Sequence, residues 1–200
     1  MASRNAKAII FTAFIGIAIV SGVTYKLLTP PINLYTEIPH QVFTLQPEIK
    51  SAYQKHIKNG GKYVWGANDC SIFVMNYIKA CKKTVPFRPT TATMMDSLFM
   101  HNAGFKAELT DEKAGDIIVF RYQNNKHEWK GHTGVVAWHN NRLWVVHNTP
   151  NYHGVVMEDL PQFKTKALRL TEKNKNLYRT YRRSDYKSWY AEFKARRDAT

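Results

Sequence analysis

The sequence predicts an α+β fold preceded by one transmembrane helix, on the basis of three observations. Apolar residues between positions 72 and 78 recur at the spacing of an amphipathic helix. Three later segments are rich in Val, Ile, Phe and Trp and are bounded by Gly, Asn and Lys, which is typical of short β-strands. Residues 8–23 carry no charge, which is typical of a membrane-spanning segment. A hydrophobic content of 44% is enough for one packed domain with extensions.

The N-terminal segment, residues 1–28, is predicted to be a membrane anchor or a signal sequence. Arg4 and Lys7 precede the uncharged stretch. If the segment extends to Leu28, with the Lys26 amine reaching the membrane surface, it contains about 20 residues, which is the length that a bilayer requires. The pattern therefore favours an uncleaved anchor.

A cleaved signal peptide is the alternative, although the small residues at 20–22 make a poor cleavage site. Both interpretations keep the positive flank in the cytoplasm and export the rest of the chain. We therefore expect a single-pass inner-membrane protein whose catalytic domain is periplasmic. Residues 29–47 are predicted to be a linker, which is stiff where two prolines follow Thr29.

A cysteine lies at the predicted start of the first helix of the folded domain. Asn68 or Asp69 can cap this helix, which places Cys70 in its first turn. Backbone N–H groups and the positive end of the helix dipole stabilise a thiolate there, so we expect Cys70 to have a depressed pKa and to be a nucleophile. The alternative is a small buried cysteine that opens a core helix. Cys81 lies about 16 Å away along a continuous helix, which is too far for a disulfide with Cys70.

Two histidines are predicted to meet on a β-hairpin. The predicted strands are residues 115–121, 131–139 and 142–148. Asn140 and Asn141 lie between the last two strands and predict a tight turn. Antiparallel pairing across this turn brings His132 and His147 to one face of the sheet, offset by about two residues. A cysteine at a helix start, a histidine base and a second polar residue that orients the base form a nucleophile–base–orienter arrangement.

The order and spacing of these motifs resemble the NlpC/P60 superfamily of cysteine peptidases, whose fold is papain-like. The matching segments are Tyr63-Val-Trp-Gly66, Asp69-Cys70-Ser71, Gly115-Asp116, Gly131-His132-Thr-Gly-Val135 and Val146-His147. The resemblance implies a catalytic domain at residues 48–170, in which N-terminal helices pack on a small antiparallel sheet. It also implies roles for individual residues. These are Cys70 as nucleophile, His132 as base, His147 as orienter, and Tyr63 and Trp65 as substrate-binding residues.

The function that this resemblance implies is cleavage of amide bonds in peptidoglycan stem peptides through a thioester intermediate. Ile72 departs from the family pattern, which often has Gly there. This departure leaves open a CHAP-type amidase, or an acyltransferase or thioesterase of the same superfamily that acts on lipid. A further alternative is a non-catalytic, membrane-anchored binding module, and the intact Cys70, His132 and His147 argue against it.

The C-terminal segment, residues 171–200, is predicted to be a basic, aromatic helical extension. The chain has a net charge of +14, and residues 164–200 contain twelve Lys and Arg against four Asp and Glu. Basic residues interleaved with aromatics favour anionic cell-wall polymer or lipid headgroups as partners of an exported protein, and no nucleic acid is expected. The alternative is a helix near 185–197 whose Trp189, Tyr190 and Phe193 pack on the domain.

No metal or cofactor is expected from the sequence. The chain has eight histidines, but their spacing matches no zinc motif, and no glycine-rich phosphate loop occurs. His139 has the opposite parity from His132 along the same strand, so we expect it to face away from the predicted site.

Overall fold

The computed structural model describes residues 32–33, 45–85, 87–108, 111–172 and 177–199. The predicted anchor, residues 1–28, lies outside this part of the chain. Among the residues that the structure describes, no helix combines the length and the apolar character that crossing a membrane requires.

The described residues form an antiparallel β-sheet with helices packed on both faces, which confirms the α+β class. The helices are α1 (Pro47–Lys58), α2 (Cys70–Ala80), α3 (Thr91–Met94), α4 (Ser97–Asn102), α5 (Leu160–Leu170) and α6 (Tyr186–Asp198). The strands are β1 (Ile32–Asn33), β2 (Phe105–Glu108), β3 (Ile117–Gln123), β4 (Trp129–His139), β5 (Arg142–Thr149), β6 (Gly154–Asp159) and β7 (Tyr178–Arg183). The strand order is β1-β6-β5-β4-β3-β7-β2. Strand β1 falls within the predicted linker and pairs with β6.

The side chains of the central strands alternate between the two faces of the sheet, and each face has its own hydrophobic core. Val135 and Val146 belong to the core that also contains Phe73 of α2. Val136 and Val145 belong to the core that contains Phe163 of α5. Successive side chains of a strand point to opposite faces, so α2 and α5 cover opposite sides of the sheet.

The β4–β5 hairpin forms as predicted. Asn140 and Asn141 have φ values of 48° and 59°, and His139 pairs with Arg142 across the turn. Two consecutive residues with positive φ are typical of a type I′ turn, which asparagine tolerates better than most residues. The turn fixes the register of the two strands that carry His132 and His147.

The structure corrects the predicted C-terminal boundary. Strand β7 lies inside the sheet between β3 and β2, so residues 178–183 belong to the folded domain. The arginines of this strand made it look like a solvated extension, but Arg182 pairs with buried Asp116 and Arg183 pairs with Glu48. The predicted C-terminal helix forms as α6, with Trp189 and Phe193 buried, as the packing alternative expected.

Candidate active site

Cys70 is the first residue of α2, and Asp69 caps the helix. The Asp69 carboxylate accepts hydrogen bonds from the N–H groups of Ser71 at 3.0 Å and Ile72 at 3.1 Å. Its other oxygen accepts from the Gly66 N–H at 2.9 Å, which holds the preceding loop against the cap. The predicted placement of Cys70 at the start of the helix is confirmed. Both cysteines are free thiols.

The expected depressed pKa of Cys70 is wrong for this structure. The side chain is only 4% exposed, and burial raises the pKa of its thiol to about 12, with the nearby Asp69 carboxylate acting in the same direction. The N–H groups of Thr133, Ser71 and Cys70 itself oppose this shift. The unfavourable desolvation of the thiolate therefore outweighs its stabilisation by the helix N-terminus, so the Cys70 thiol is protonated.

The predicted contact between the two histidines is present. His132 Nε2 lies 2.8 Å from His147 Nδ1, and the two rings are nearly perpendicular, at 89°. An added Cβ on Gly134 would lie 3.0 Å from His147 Cβ, so Gly134 faces His147 and His132 is two residues away along β4. This is the offset that the sequence predicts.

Aromatic side chains enclose the histidine pair. The His132 ring lies 5.8 Å from Phe120 of β3 and 6.1 Å from Phe163 of α5. Burial in this environment, together with the adjacent His147, lowers the pKa of His132 to about 3. His132 is therefore neutral at physiological pH, and its basicity in this environment is low.

Sequence reasoning missed Glu158 of β6. This carboxylate is 4% exposed, and its Oε2 lies 3.4 Å from His147 Nε2. Its Oε1 accepts a hydrogen bond from the Lys166 amine of α5. Burial raises the pKa of Glu158, but His147 and Lys166 outweigh burial and hold the pKa below its usual range, so the group is ionised. The signal that the sequence offered was an acidic residue directly after the apolar run of β6.

The Cys70 thiol lies against strand β4 next to His132, but no hydrogen bond joins the side chains of these two residues. The thiol accepts a hydrogen bond from the N–H of Thr133, the residue after His132. His132 packs with Phe163 on the α5 side of the sheet, whereas α2 covers the other side. The structure therefore brings the Cys70 thiol to the β4 backbone beside His132, but it does not bring the two side chains together.

Two adjacent cavities border these groups. A cavity of about 460 Å³ is lined by His132 and His147 together with Tyr63 and Trp65. A second cavity of about 250 Å³ is lined by Cys70, and the two share Trp65 and Gly131 as wall residues. The structure thus brings Tyr63 and Trp65 to the histidines and places Cys70 immediately beyond the shared wall.

The two predicted substrate-binding residues differ in environment. Trp65 is 72% exposed, so its ring is available to a ligand in either cavity. Tyr63 is half-buried, and burial raises the pKa of its phenol, with Cys70 and Asp69 adding to the shift. Tyr63 is therefore protonated at neutral pH and can donate a hydrogen bond.

Metal ligation is not indicated by the described part of the chain, in which no group of three His, Cys, Asp or Glu residues is arranged to hold an ion. His139 faces the opposite side of β4 from His132, as predicted, and its ring packs against Trp144.

Comparison with known proteins identifies the family. Residues 60–172 match the model of the NlpC/P60 family, and this match covers more than half of the chain. Comparison with curated proteins and with solved structures gave no match. The matched range contains Cys70, His132, His147 and Glu158. The chain therefore belongs to the NlpC/P60 family.

Proposed function

We propose that this protein is an exported cysteine hydrolase that cleaves amide bonds in peptidoglycan stem peptides. Membership of the NlpC/P60 family indicates a cell-wall hydrolase or peptidase. The observation that carries the residue assignment is the 2.8 Å contact between His132 Nε2 and His147 Nδ1, with Cys70 at the adjacent helix start. The two histidines have the geometry of a base held by an orienting partner, and the position of Cys70 at a helix start supports its assignment as the nucleophile.

The mechanism starts from a neutral thiol and a neutral imidazole. His132 uses Nε2 in its contact with His147, so Nδ1 is the nitrogen left to take the Cys70 proton as the sulfur attacks the amide carbonyl. This transfer requires the two side chains, which lie on opposite faces of β4, to come together when substrate binds. His132 then donates this proton to the leaving amine, which departs as the thioester forms. Water, deprotonated by His132, attacks the thioester and releases the carboxylate product and the free thiol.

The developing oxyanion needs hydrogen-bond donors near the helix start. Asp69 occupies the N–H groups of Ser71 and Ile72, whereas it leaves the N–H of Cys70 unused. The Cys70 N–H at the positive end of α2 is accordingly the donor that we assign to the oxyanion. Tyr63, which is protonated and lines the histidine cavity, is positioned to contact the peptide substrate.

The test is product analysis on purified peptidoglycan fragments. The full chain is expected to release peptides with a new amine and a new carboxylate, detected by mass spectrometry. Cys70→Ser should abolish this activity, and Cys81→Ser is the matched control because Cys81 is also a buried free thiol. Acyl transfer from lipid would indicate the acyltransferase alternative instead. Binding of fragments without thiol-dependent turnover would indicate a binding module.

Export and membrane anchoring are separate parts of the proposal. They are supported by the uncharged segment at residues 8–23 and by the preceding Arg4 and Lys7. A reporter fused after the C-terminus should be active only if it is of the kind that works outside the cytoplasm. The mass of the mature chain distinguishes an anchor, which keeps the N-terminus, from a cleaved signal peptide. A reporter that works only in the cytoplasm would contradict export and remove peptidoglycan as an accessible substrate.

A further inference from the structure

Glu158 is a buried carboxylate on the same face of the sheet as the two histidines. Strand β6 pairs with β5 so that Val156 lies opposite His147, and Glu158 is two residues further along β6. Two residues along a strand return to the same face, which brings Glu158 Oε2 to 3.4 Å from His147 Nε2. The Lys166 amine holds the other carboxylate oxygen.

The contacts join three side chains in one line, from Glu158 through His147 to His132. His147 Nε2 faces Glu158 Oε2 at 3.4 Å without the alignment of a hydrogen bond. An ionised carboxylate can only accept, so Glu158 favours a proton on Nε2 of His147. When Nε2 carries the single ring proton of His147, Nδ1 is unprotonated and can only accept. His132 must therefore donate from Nε2, and its own Nδ1 is left unprotonated.

We infer that Glu158 is a positioning residue that fixes the tautomers of His147 and His132 and so makes His132 Nδ1 the base. This inference rests on the proposed function, because a base is needed only if Cys70 acts as a nucleophile. Without the carboxylate, His147 could place its proton on either nitrogen. If His147 carried its proton on Nδ1, it would donate to His132 Nε2. His132 Nε2 would then be the acceptor, and the proton of His132 would lie on Nδ1.

The carboxylate also offsets the charge that forms during catalysis. When His132 takes a proton from Cys70, a positive imidazolium arises among Phe120 and Phe163, where burial disfavours it. The field of Glu158 acts in the opposite direction. Partners that orient metal-bound histidines typically contribute about 10–100-fold to activity, and we expect a loss of the same order here. The other titratable groups that line this cavity are Tyr63, Tyr122, Lys130, Tyr152 and Lys166.

The first test reads the tautomers directly in the unmodified full-length protein. Nitrogen chemical shifts of ¹⁵N-labelled histidine distinguish a protonated from an unprotonated ring nitrogen. We expect both His147 and His132 to carry the proton on Nε2 at neutral pH. A proton on Nδ1 of His147 would overturn the inference. Because this measurement needs neither substrate nor a variant, it remains decisive if a substitution at Glu158 prevents folding.

The second test compares three variants by kcat and KM. Glu158→Ala should lower kcat about 10–100-fold with KM unchanged, and should give mixed tautomers. Glu158→Gln keeps an oxygen that accepts from His147 and should recover part of the lost kcat. Lys166→Met removes the other partner of Glu158 but keeps the contact with His147, so it should preserve the tautomers and most of kcat. Equal losses in Glu158→Ala and Lys166→Met, with wild-type tautomers in both, would show that Glu158 only stabilises the packing and would overturn the inference.

Failure of this inference and failure of the proposed function give different results. If the wild-type protein hydrolyses the substrate but His147 carries its proton on Nδ1, the inference is wrong and the proposed function stands. If the wild-type protein shows no thiol-dependent hydrolysis, the proposed function is wrong even when both tautomers are as expected.

Discussion

The Asn148 side chain joins the strand that carries His147 to the loop that precedes Cys70, because its Nδ2 donates a hydrogen bond to the Asn68 carbonyl at 2.6 Å. Asn148 is completely buried and points to the opposite face of β5 from His147. The buried His56 ring extends this network, with Nδ1 at 3.1 Å from Asn68 Oδ1. Polar contacts, and not only apolar packing, thus fix the loop that precedes Cys70 relative to the strand that carries His147.

Asn148→Ala should destabilise the fold and slow catalysis. The substitution removes one of two hydrogen bonds to the Asn68 carbonyl, which also accepts from the Val64 N–H, and a hydrogen bond of this kind contributes about 0.5–1.5 kcal/mol. Urea unfolding measures this loss, and Asn125→Ala in an exposed turn is the control. Hydrolysis should fall as well, because the loop that positions Cys70 loses its attachment to β5. An Asn148→Ala protein with wild-type stability and turnover would contradict this role.

Cys70 should react slowly with iodoacetamide at neutral pH in the absence of substrate. Burial raises the pKa of its thiol to about 12, so little thiolate is present and the rate should rise only under strongly alkaline conditions. Peptide mapping follows the Cys70 and Cys81 adducts separately. The denatured chain is the reference, since an exposed thiol has a pKa of about 8.5. Fast modification of folded Cys70 at neutral pH would support the depressed pKa expected from the sequence.

The parts of the site that could be predicted from the sequence depend on local spacing. The helix that starts at Cys70 follows from its cap and its apolar period, and the meeting of His132 and His147 follows from the turn at Asn140 and Asn141. Each of these features is fixed by residues that are near one another in the chain. Helix and strand periods therefore suffice to place them.

The parts that could not be predicted depend on contacts between distant segments. The thiol pKa is set by burial of Cys70 against β4, which the helix pattern alone does not contain. The role of Glu158 depends on the register of β6 against β5. Strand β7 looked like a basic extension because its arginines have buried acidic partners elsewhere in the chain, such as Asp116 for Arg182.

His132→Ala should reduce hydrolysis more than His147→Ala. In a nucleophile–base–orienter triad, loss of the base costs about 10⁶-fold in kcat and loss of the orienting residue about 10⁴-fold, so we expect the same order here. His147→Asn should retain more activity than His147→Ala, because an amide can hydrogen-bond His132 Nε2. Steady-state kinetics on the peptide substrate give these ratios. Wild-type activity in His147→Ala would show that His132 needs no partner at Nε2.

Stability should fall as the pH decreases below about 6.5, because burial lowers the pKa values of His56 and His132 in the folded protein. The unfolded chain then binds more protons than the folded chain, so each group weakens the fold between its unfolded and its folded pKa. The slope reaches about 1.4 kcal/mol per pH unit for each histidine.

Urea unfolding across this pH range measures the slope. His56→Gln should flatten the curve, and His101→Gln at an exposed position should leave it unchanged. A stability that is constant from neutral pH down to pH 5 would contradict the lowered pKa values.

Gly131→Ala should damage both the fold and the site, and a second substitution should reverse part of the damage. An added Cβ on Gly131 would lie 2.0 Å from Thr91 Oγ1 and 2.6 Å from Thr91 Cβ, so α3 or β4 must move. Gly131 is also a wall residue of both cavities and directly precedes His132. Forcing extra volume into such a contact costs about 1–3 kcal/mol.

The compensating change is Thr91→Gly, which removes every side-chain atom that the new methyl group would meet. Thr91→Gly alone should cost up to about 1 kcal/mol through its lower helix propensity. The double variant should nevertheless be more stable and more active than Gly131→Ala alone. Urea unfolding and hydrolysis rates of the four proteins form a double-mutant cycle that isolates this coupling. A double variant whose losses equal the sum of the single losses would show that contact between Gly131 and Thr91 does not limit the position of His132.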